Sequence, residues 1–254
     1  MLRMVFKQAF RQTQGLMRSI AKLMGVDIRV PHFTTMSRRG NGLSLSYKAA
    51  SKGSKPMQLV VDSTGLKIFG ECDWFEEKHK TKGRRRSWRK LHLGLDLVSG
   101  QIVCSDLTTD DIGDPTALPG LLDQIDGPVE MFIRDGAYDG EPTVKALTQR
   151  FGSAIKVTIP PPKNAVLSSD AAQSLSTRDR HIADIAAHGR MAWQTSSGCN
   201  QRSRGETLIG RWKAVIGPKI KARSLESQKT EAKIGVRALI RMTELGRPNF
   251  ERTA

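Results

Sequence analysis

Two short apolar runs in this chain each end in an aspartate that is soon followed by glycine. The first is "LVVDSTG" around Asp62, and the second is "MFIRDGAY" around Asp135. A carboxylate at the end of a buried strand is costly unless a cation or hydrogen-bond donors compensate its charge. If the two strands are neighbours, the acids lie side by side, and a divalent cation such as Mg²⁺ would remove their repulsion. The alternative is that each aspartate caps the turn after its strand.

The region around these runs has a mixed strand and helix pattern. Alternating or apolar runs predict strands, and an acid followed by proline begins two of the predicted helices. The helix that begins at Glu141 is expected to be capped by Asp139. Strands are predicted at 57–66, 67–71 (a hairpin on the first), 90–98, 101–108, 129–135 and 154–160. Helices are predicted at 114–125, 141–151, 179–190 and 200–216, with a Pro/Ser-rich loop at 160–180. This order predicts an α/β fold with a mixed sheet flanked by helices.

A small helical segment, residues 1–46, precedes the strands. It contains a predicted helix at 6–24 and a second, short helix at 34–43 that carries Arg38 and Arg39. The pair is compatible with a helix-turn-helix, so both arginines are predicted to contact DNA. The alternative is two surface helices with basic faces. Residues 47–56 are predicted to be a linker, and 247–254 a tail.

The charge balance indicates a polyanionic partner. The chain has 41 Lys and Arg against 25 Asp and Glu, a net charge of +16, which favours nucleic acid. Residues 78–90 are the most basic stretch and could follow a DNA backbone, or they could form a solvated loop. Trp88 within it either stacks on a base or packs in the core. The predicted DNA contacts here are Arg84, Arg85, Arg86, Trp88, Arg89 and Lys90.

A third carboxylate comes from the segment "CNQRSRGETLIGRWK". On a helix, Arg202, Glu206 and Lys213 share one face, because they are four and seven positions apart. Glu206 would then point at metal ions and the two basic side chains at phosphates. A surface helix held by ion pairs would look similar.

Several classes of protein are excluded or disfavoured. No apolar run reaches the roughly 18 residues of a membrane span. The three cysteines, an odd and sparse set, favour a reducing compartment and hence the cytoplasm. Phosphate-binding glycine loops and the nucleophile elbow of serine hydrolases are also absent from the sequence.

The motifs together resemble the DDE transposases of bacterial insertion-sequence family five, from about residue 8 to residue 245. The family's signature around its third acid has Tyr, then Arg, Glu and Lys or Arg at fixed spacing. Arg202, Glu206 and Lys213 fit it, and Cys199 stands where the Tyr is expected. The other matching motifs are "RQTQGLMRSIAKLMGVDIRVPHFTTMSRR", "LVVDSTGLKIFGE", "SWRKLHLGLD", "DLTTDDIGD", "LLDQIDGP" and "DGAYDG".

The resemblance implies a ribonuclease H-like catalytic domain over 57–246, with an insertion near 160–199. Asp62, Asp135 and Glu206 would be both the catalytic acids and the ligands of two Mg²⁺ ions, which Mn²⁺ can replace. Water would cut the element's end, and the freed 3′-OH would then attack target DNA with the same metals. The expected partners are double-stranded DNA, as transposon ends and target, and a second copy of the chain.

The resemblance also implies a bacterial, nucleoid-associated protein. Family members usually carry a longer region ahead of the part that matches residue 8, so the chain is expected to be N-terminally truncated. Two alternatives to an active transposase follow. One is a remnant that binds DNA without catalysis, and the other is a general metal-dependent DNA nuclease on the same fold.

Overall fold

A computed structural model describes residues 1–40, 55–68, 88–169 and 171–246. The predicted DNA contacts Arg84, Arg85 and Arg86 lie outside these ranges. The chain divides into two compact units. The first contains Met1–Ser46, Gly65–Leu91 and Arg211–Ala254, and the second contains Tyr47–Thr64 and His92–Gly210.

Apart from the predicted strand at 67–71, helices and strands follow the predicted order, with some added elements. The strands are β1 (Met57–Ile68), β2 (Trp88–Asp96), β3 (Ile102–Thr109), β4 (Val129–Ile133), β5 (Lys156–Thr158) and β6 (Lys219–Ile220). The helices are α1 (Leu2–Val5), α2 (Phe10–Leu23), α3 (Phe33–Gly40), α4 (Asp114–Leu122), α5 (Glu141–Phe151), α6 (Thr177–His188), α7 (Arg190–Ser197), α8 (Ser203–Val215) and α9 (Leu225–Glu244). Short 3-10 turns span Gly136–Tyr138 and Cys199–Arg202.

The sheet runs in the order β3-β2-β1-β4-β5. β4 is parallel to β1 and β5 is parallel to β4. β2 and β3 form a hairpin in which the Asp96 amide donates to the Gln101 carbonyl. The end of β2 meets the start of β1, since the Leu97 amide donates to the Gln58 carbonyl, so these two strands run antiparallel. The prediction of a mixed sheet flanked by helices is therefore confirmed.

One core of the second unit lies between the sheet and helices α4 and α5. Leu59, Val61 and Phe132 are fully buried, and they pack with Leu121 of α4 and Leu147 of α5. Burial of an aliphatic or aromatic side chain of this size contributes roughly 1.5–3 kcal/mol. This core fixes β1 beside β4, and the side-chain alternation along β1 then determines where its polar residues lie.

The predicted hairpin at 67–71 is wrong where the structure describes it. β1 continues without a turn through Ser63–Gly65 to Ile68. Its last residues, Lys67 and Ile68, pair in parallel with β6. Gly65 allows close packing there, because a Cβ at this position would lie 3.0 Å from the Trp88 ring. The strand continues because its C-terminal end gains pairing partners from a distant part of the chain.

The helical segment at the N-terminus is observed, with α2 and α3 in place of the predicted 6–24 and 34–43. Residues 24–32 connect the two helices, a longer link than the three or four residues of a compact helix-turn-helix. Arg38 and Arg39 are exposed on α3. Their contact with DNA stays a prediction.

The 20-residue helix α9 was not predicted. Its buried face includes Ala232, Val236 and Leu239, and Gly235 lies directly under the Trp212 ring.

Among the described residues, none of the helices is both long and apolar enough to cross a membrane.

Candidate active site

The register of β1 and β4 brings the two strand-end acids together. Val60 is paired with Ile133, so Asp62 and Asp135 come two positions later on neighbouring chain segments. β4 ends at Ile133, and Asp135 caps the following 3-10 turn by accepting a hydrogen bond from the Ala137 amide at 3.3 Å. Asp62, by contrast, lies inside the long strand β1. Both acids therefore flank the point where β4 separates from β1.

The first turn of α8 packs onto Asp62 through Gly205. A Cβ built at Gly205 would lie 3.1 Å from the Cβ of Asp62 and 3.1 Å from Cγ1 of Val60. Glu206, the next residue, is thereby placed beside the strand-end acids. An ion pair between Arg202 and Glu206, as the alternative of a surface helix predicts, is observed, with Nη2 of the arginine 3.2 Å from Oε1. Lys213 is exposed near the C-terminal end of the same helix.

The surroundings of Asp62 shift the pKa of its carboxyl group. The pKa of Asp62 is raised, first because burial disfavours its charged form, and further by the negative charges of Asp135 and Glu206. Arg134 and the Ser63 amide, which donates to Asp62 Oδ1 at 2.8 Å, lower the pKa but do not reverse the shift. The charged form of Asp62 is therefore disfavoured mainly by its burial, and the two neighbouring acids add to this cost.

That arrangement fits a divalent metal ion. The donors would be carboxylate oxygens, which hard cations such as Mg²⁺ prefer, and a cation would offset the burial and the weaker repulsions that together raise the pKa of Asp62. Among the residues that the structure describes, no group of three His, Cys, Asp or Glu side chains lies close enough to share an ion. The Glu206 side chain is 61% exposed and turned toward Arg202, so its rotation would be needed to complete the set.

A buried arginine, Arg134, stands behind Asp62 and was not anticipated. Its Nη1 donates to Asp62 Oδ1 at 3.1 Å and to the Val61 carbonyl. Its Nη2 donates to Asp114 Oδ2 at 3.3 Å and to the Tyr138 hydroxyl at 2.7 Å. The side chain is only 1% exposed. The available signal in the sequence was an arginine within the apolar run "MFIRDG".

The prediction that Asp139 caps α5 is wrong. The N-cap of α5 is Gly140, and no side chain caps it. Asp139 instead accepts from Arg178 Nε, with 3.0 Å to Oδ2. Arg178 lies on α6, within the predicted insertion. The insertion therefore holds the end of the turn that begins at Asp135. Asp135 caps this 3-10 turn and not α5.

Three predicted DNA contacts on β2 belong to the first unit. Trp88 is half-buried over Gly65, with Lys67 Nζ 5.5 Å from its ring centroid. Arg89 donates from Nε to Gln228 Oε1 at 2.7 Å, which fixes it to α9. Lys90 is half-buried on the same strand. Whether these side chains contact DNA stays a prediction.

Cys199, at the expected Tyr position, is buried at 4% exposure. Burial raises the pKa of its thiol above the usual value, although Arg202 and Arg190 lower it in part. Burial therefore disfavours the thiolate, which is the nucleophilic form of the side chain.

Two models of known protein families match this chain. A family model described as a transposase DDE domain matches residues 53–242, and a second model with the same description matches residues 1–71. Three solved structures show low likeness. The piggyBac transposase synaptic complex with hairpin DNA has a TM-score of 0.27 at 12% identity, covering 78% of this chain and 56% of that one. The simian T-cell lymphotropic virus intasome with PP2A regulatory subunit B56 gamma has a TM-score of 0.27 at 12% identity, covering 86% and 62%. The Drosophila P element transposase strand transfer complex has a TM-score of 0.33 at 11% identity, covering 94% and 79%.

The chain thus spans about three fifths of the length of the first two structures. The two sequence models carry the assignment, because one of them covers most of the chain, including the strand pair and the α8 turn described above. This chain belongs to the transposase DDE domain family.

Proposed function

We propose that this protein is a DNA transposase that cuts the ends of an insertion sequence and joins the freed 3′-OH to target DNA. The observation that carries the proposal is the meeting of Asp62, Asp135 and the first turn of α8 at one corner of the sheet. The family and the net charge of +16 support DNA as the proposed partner.

Asp62, Asp135 and Glu206 are the proposed metal ligands. Asp62 offers Oδ2, since its Oδ1 already accepts from Ser63 and Arg134. Asp135 is held by the turn that it caps, and Glu206 reaches the site by rotation of its exposed side chain. Two divalent ions, Mg²⁺ or Mn²⁺, would supply activation of the attacking oxygen and stabilisation of the leaving 3′ oxygen.

Basic side chains would hold the DNA. Arg202 lies beside Glu206, where it can bind a phosphate next to the cut, and Lys213 would bind the backbone farther along α8. Arg38 and Arg39 would bind DNA from the N-terminal segment. Cutting two ends and joining them requires that both be held together, so we propose that two copies of the chain assemble on DNA in the bacterial cytoplasm, at the nucleoid.

The test is a strand-transfer assay with DNA that carries the inverted repeats flanking the coding region, in Mg²⁺ and in Mn²⁺. We expect Asp62→Asn, Asp135→Asn and Glu206→Gln each to abolish cleavage while the Kd for DNA stays within about twofold, because each removes a metal ligand and not a phosphate contact. Glu130→Gln is the matched control, since Glu130 is an exposed acid of β4 that contacts Gln58 and not the site.

Each other outcome has a definite meaning. Cleavage by any of the three variants would show that its acid has been misassigned. DNA binding by the wild-type chain with neither cleavage nor joining would refute the proposal in favour of a DNA-binding remnant. Cleavage that ignores the end sequence would favour a general metal-dependent nuclease.

A further inference from the structure

Arg134 is a buried cation that the proposed chemistry does not use directly. We infer that Arg134 is a positioning residue that fixes both strand-end acids, Asp62 by direct contact and Asp135 through Tyr138. The inference rests on the proposed function, because it concerns how the proposed metal ligands are oriented.

The two oxygens of Asp62 have different surroundings. Oδ1 accepts from the Ser63 amide at 2.8 Å and from Arg134 at 3.1 Å, so this oxygen is anchored to the protein. Oδ2 lies on the side of α8, 3.3 Å from a Cβ built at Gly205. Arg134 therefore helps to set the rotamer in which Oδ2 is presented toward the helix that carries Glu206.

Asp135 is reached through the short turn that follows it. Tyr138, the last residue of that turn, is 1% exposed, and its hydroxyl accepts from Arg134 at 2.7 Å. The guanidinium carbon also lies 4.1 Å from the centroid of the Tyr138 ring. Asp135 caps the same turn, so a shift of Tyr138 would displace its carboxylate.

The turn has little room to adjust independently. A Cβ at Gly136 would lie 3.0 Å from the Pro160 carbonyl oxygen, so the backbone is already close to β5's continuation. At the other end, Asp139 is held by Arg178. The Tyr138 anchor is thus one of three contacts that define where Asp135 lies.

The contacts of Arg134 identify it as a fixed part of the structure and not as a stand-in for a metal ion. Two of its acceptors, the Val61 carbonyl and the Tyr138 hydroxyl, are uncharged, so the side chain would keep them when the carboxylates bind metal. Asp114 supplies a second negative charge at 3.3 Å and itself accepts from Ser63 Oγ at 2.8 Å. A planar guanidinium can contact all four acceptors at once, and a lysine ammonium cannot.

The two possible roles of Arg134 predict opposite changes in metal affinity. If Arg134 only neutralised charge, its removal would leave a more negative site that binds Mn²⁺ more tightly. If it positions the ligands, its removal would weaken Mn²⁺ binding, because residues that orient ligands typically contribute about 10–100-fold to metal affinity.

The test measures Mn²⁺ affinity by electron paramagnetic resonance on the full chain without DNA. We expect Arg134→Met to raise the Kd for Mn²⁺ at least tenfold, and Arg134→Lys and Tyr138→Phe to raise it severalfold, with DNA affinity within about twofold. Arg134→Lys and Tyr138→Phe decide the question if Arg134→Met does not fold. Arg150→Met is the control, since among the described residues Arg150 donates to the Ile125 carbonyl and packs on Phe151 and does not contact an acid.

A folded Arg134 variant that binds Mn²⁺ as tightly as the wild type, or more tightly, would overturn the inference. If Asp62→Asn still abolishes Mn²⁺ binding in that case, the proposed function survives and only the role of Arg134 is refuted. A wild-type chain that binds no Mn²⁺ would refute the proposed metal site, and with it this inference. If Arg150→Met weakened Mn²⁺ binding as much as the Arg134 variants do, the loss would reflect general destabilisation. That result would also overturn the inference.

Discussion

The substitution Gly205→Ala tests how closely the first turn of α8 packs on Asp62, because it adds a single methyl group at their contact. In Gly205→Ala the new Cβ would meet Asp62 Cβ and Val60 Cγ1 at 3.1 Å and Asp62 Oδ2 at 3.3 Å. Contacts at such distances are relieved only if α8 or Asp62 moves by a few tenths of an ångström. The substitution therefore separates the α8 turn from β1 without removing any functional side chain.

The expected change in stability has two opposing parts. Overpacking of a filled site costs about 1–3 kcal/mol, and replacing glycine by alanine within a helix returns about 1 kcal/mol. Gly205→Ala should therefore lower the free energy of unfolding by about 0–2 kcal/mol. Gly210→Ala is the matched control on the same helix. A Cβ built at Gly210 meets no heavy atom within 4 Å in the part of the chain that the structure describes, so this variant should gain about 1 kcal/mol.

The comparison of the two variants isolates the contact, because the gain in helix propensity is common to both. We expect the melting temperature of Gly205→Ala to lie several degrees below that of Gly210→Ala, at roughly 2–4 °C per kcal/mol for a chain of this size. Single-turnover cleavage by Gly205→Ala should fall about tenfold, since small displacements of catalytic groups are costly, while Gly210→Ala should cleave at the wild-type rate. If both variants were stabilised equally and cleaved equally, the packing of α8 on Asp62 would be refuted.

Two further predictions concern the interior of each unit. Gly235→Ala would place a Cβ 2.5 Å from Cη2 of Trp212. We therefore expect the free energy of unfolding, measured with urea, to fall by about 3 kcal/mol. An unchanged urea midpoint would contradict the packing of α9 on Trp212. Asp62→Asn should raise the melting temperature at pH 7, because the pKa of Asp62 is raised in the folded state and its ionisation therefore costs stability above that pKa. This advantage should shrink as the pH falls through the raised pKa, where wild-type Asp62 becomes neutral, and a pH-independent difference would argue against the burial of its charge.

Local signals predicted several elements well. The helix predicted at 141–151 is observed as α5 with the same ends, because proline near its start and Gly152 after its last residue define both termini. Gly152 has a φ of 88°, which favours glycine, so the end of the helix is encoded in the residue itself. The juxtaposition of Asp62 and Asp135 was also predictable, since it follows from placing two similar strands next to each other.

Features that depend on distant partners were not predictable in this way. "DSTG" after an apolar run indicates a turn, but β1 continues because Lys67 and Ile68 pair with β6, whose residues come about 150 positions later. Arg134 appeared to be one charge in an apolar run. Its role depends on Asp62 and Asp114, and neither is close to it in the sequence. The ion pair of Asp139 with Arg178 was not predictable either, because the two residues are far apart in the sequence.

The separation of the site residues along the chain has a consequence for biosynthesis. Asp62, Asp135 and Glu206 are 73 and 71 positions apart, and β1 obtains its parallel neighbour only after β4 has been made. Contacts between such distant residues form late, because closing long loops is entropically unfavourable until the core consolidates. A nascent chain that has not yet released α8 from the ribosome would hold two of the three acids and lack the helix that packs on them. The proposed cutting activity would therefore arise only after α8 has been synthesised and has packed on β1.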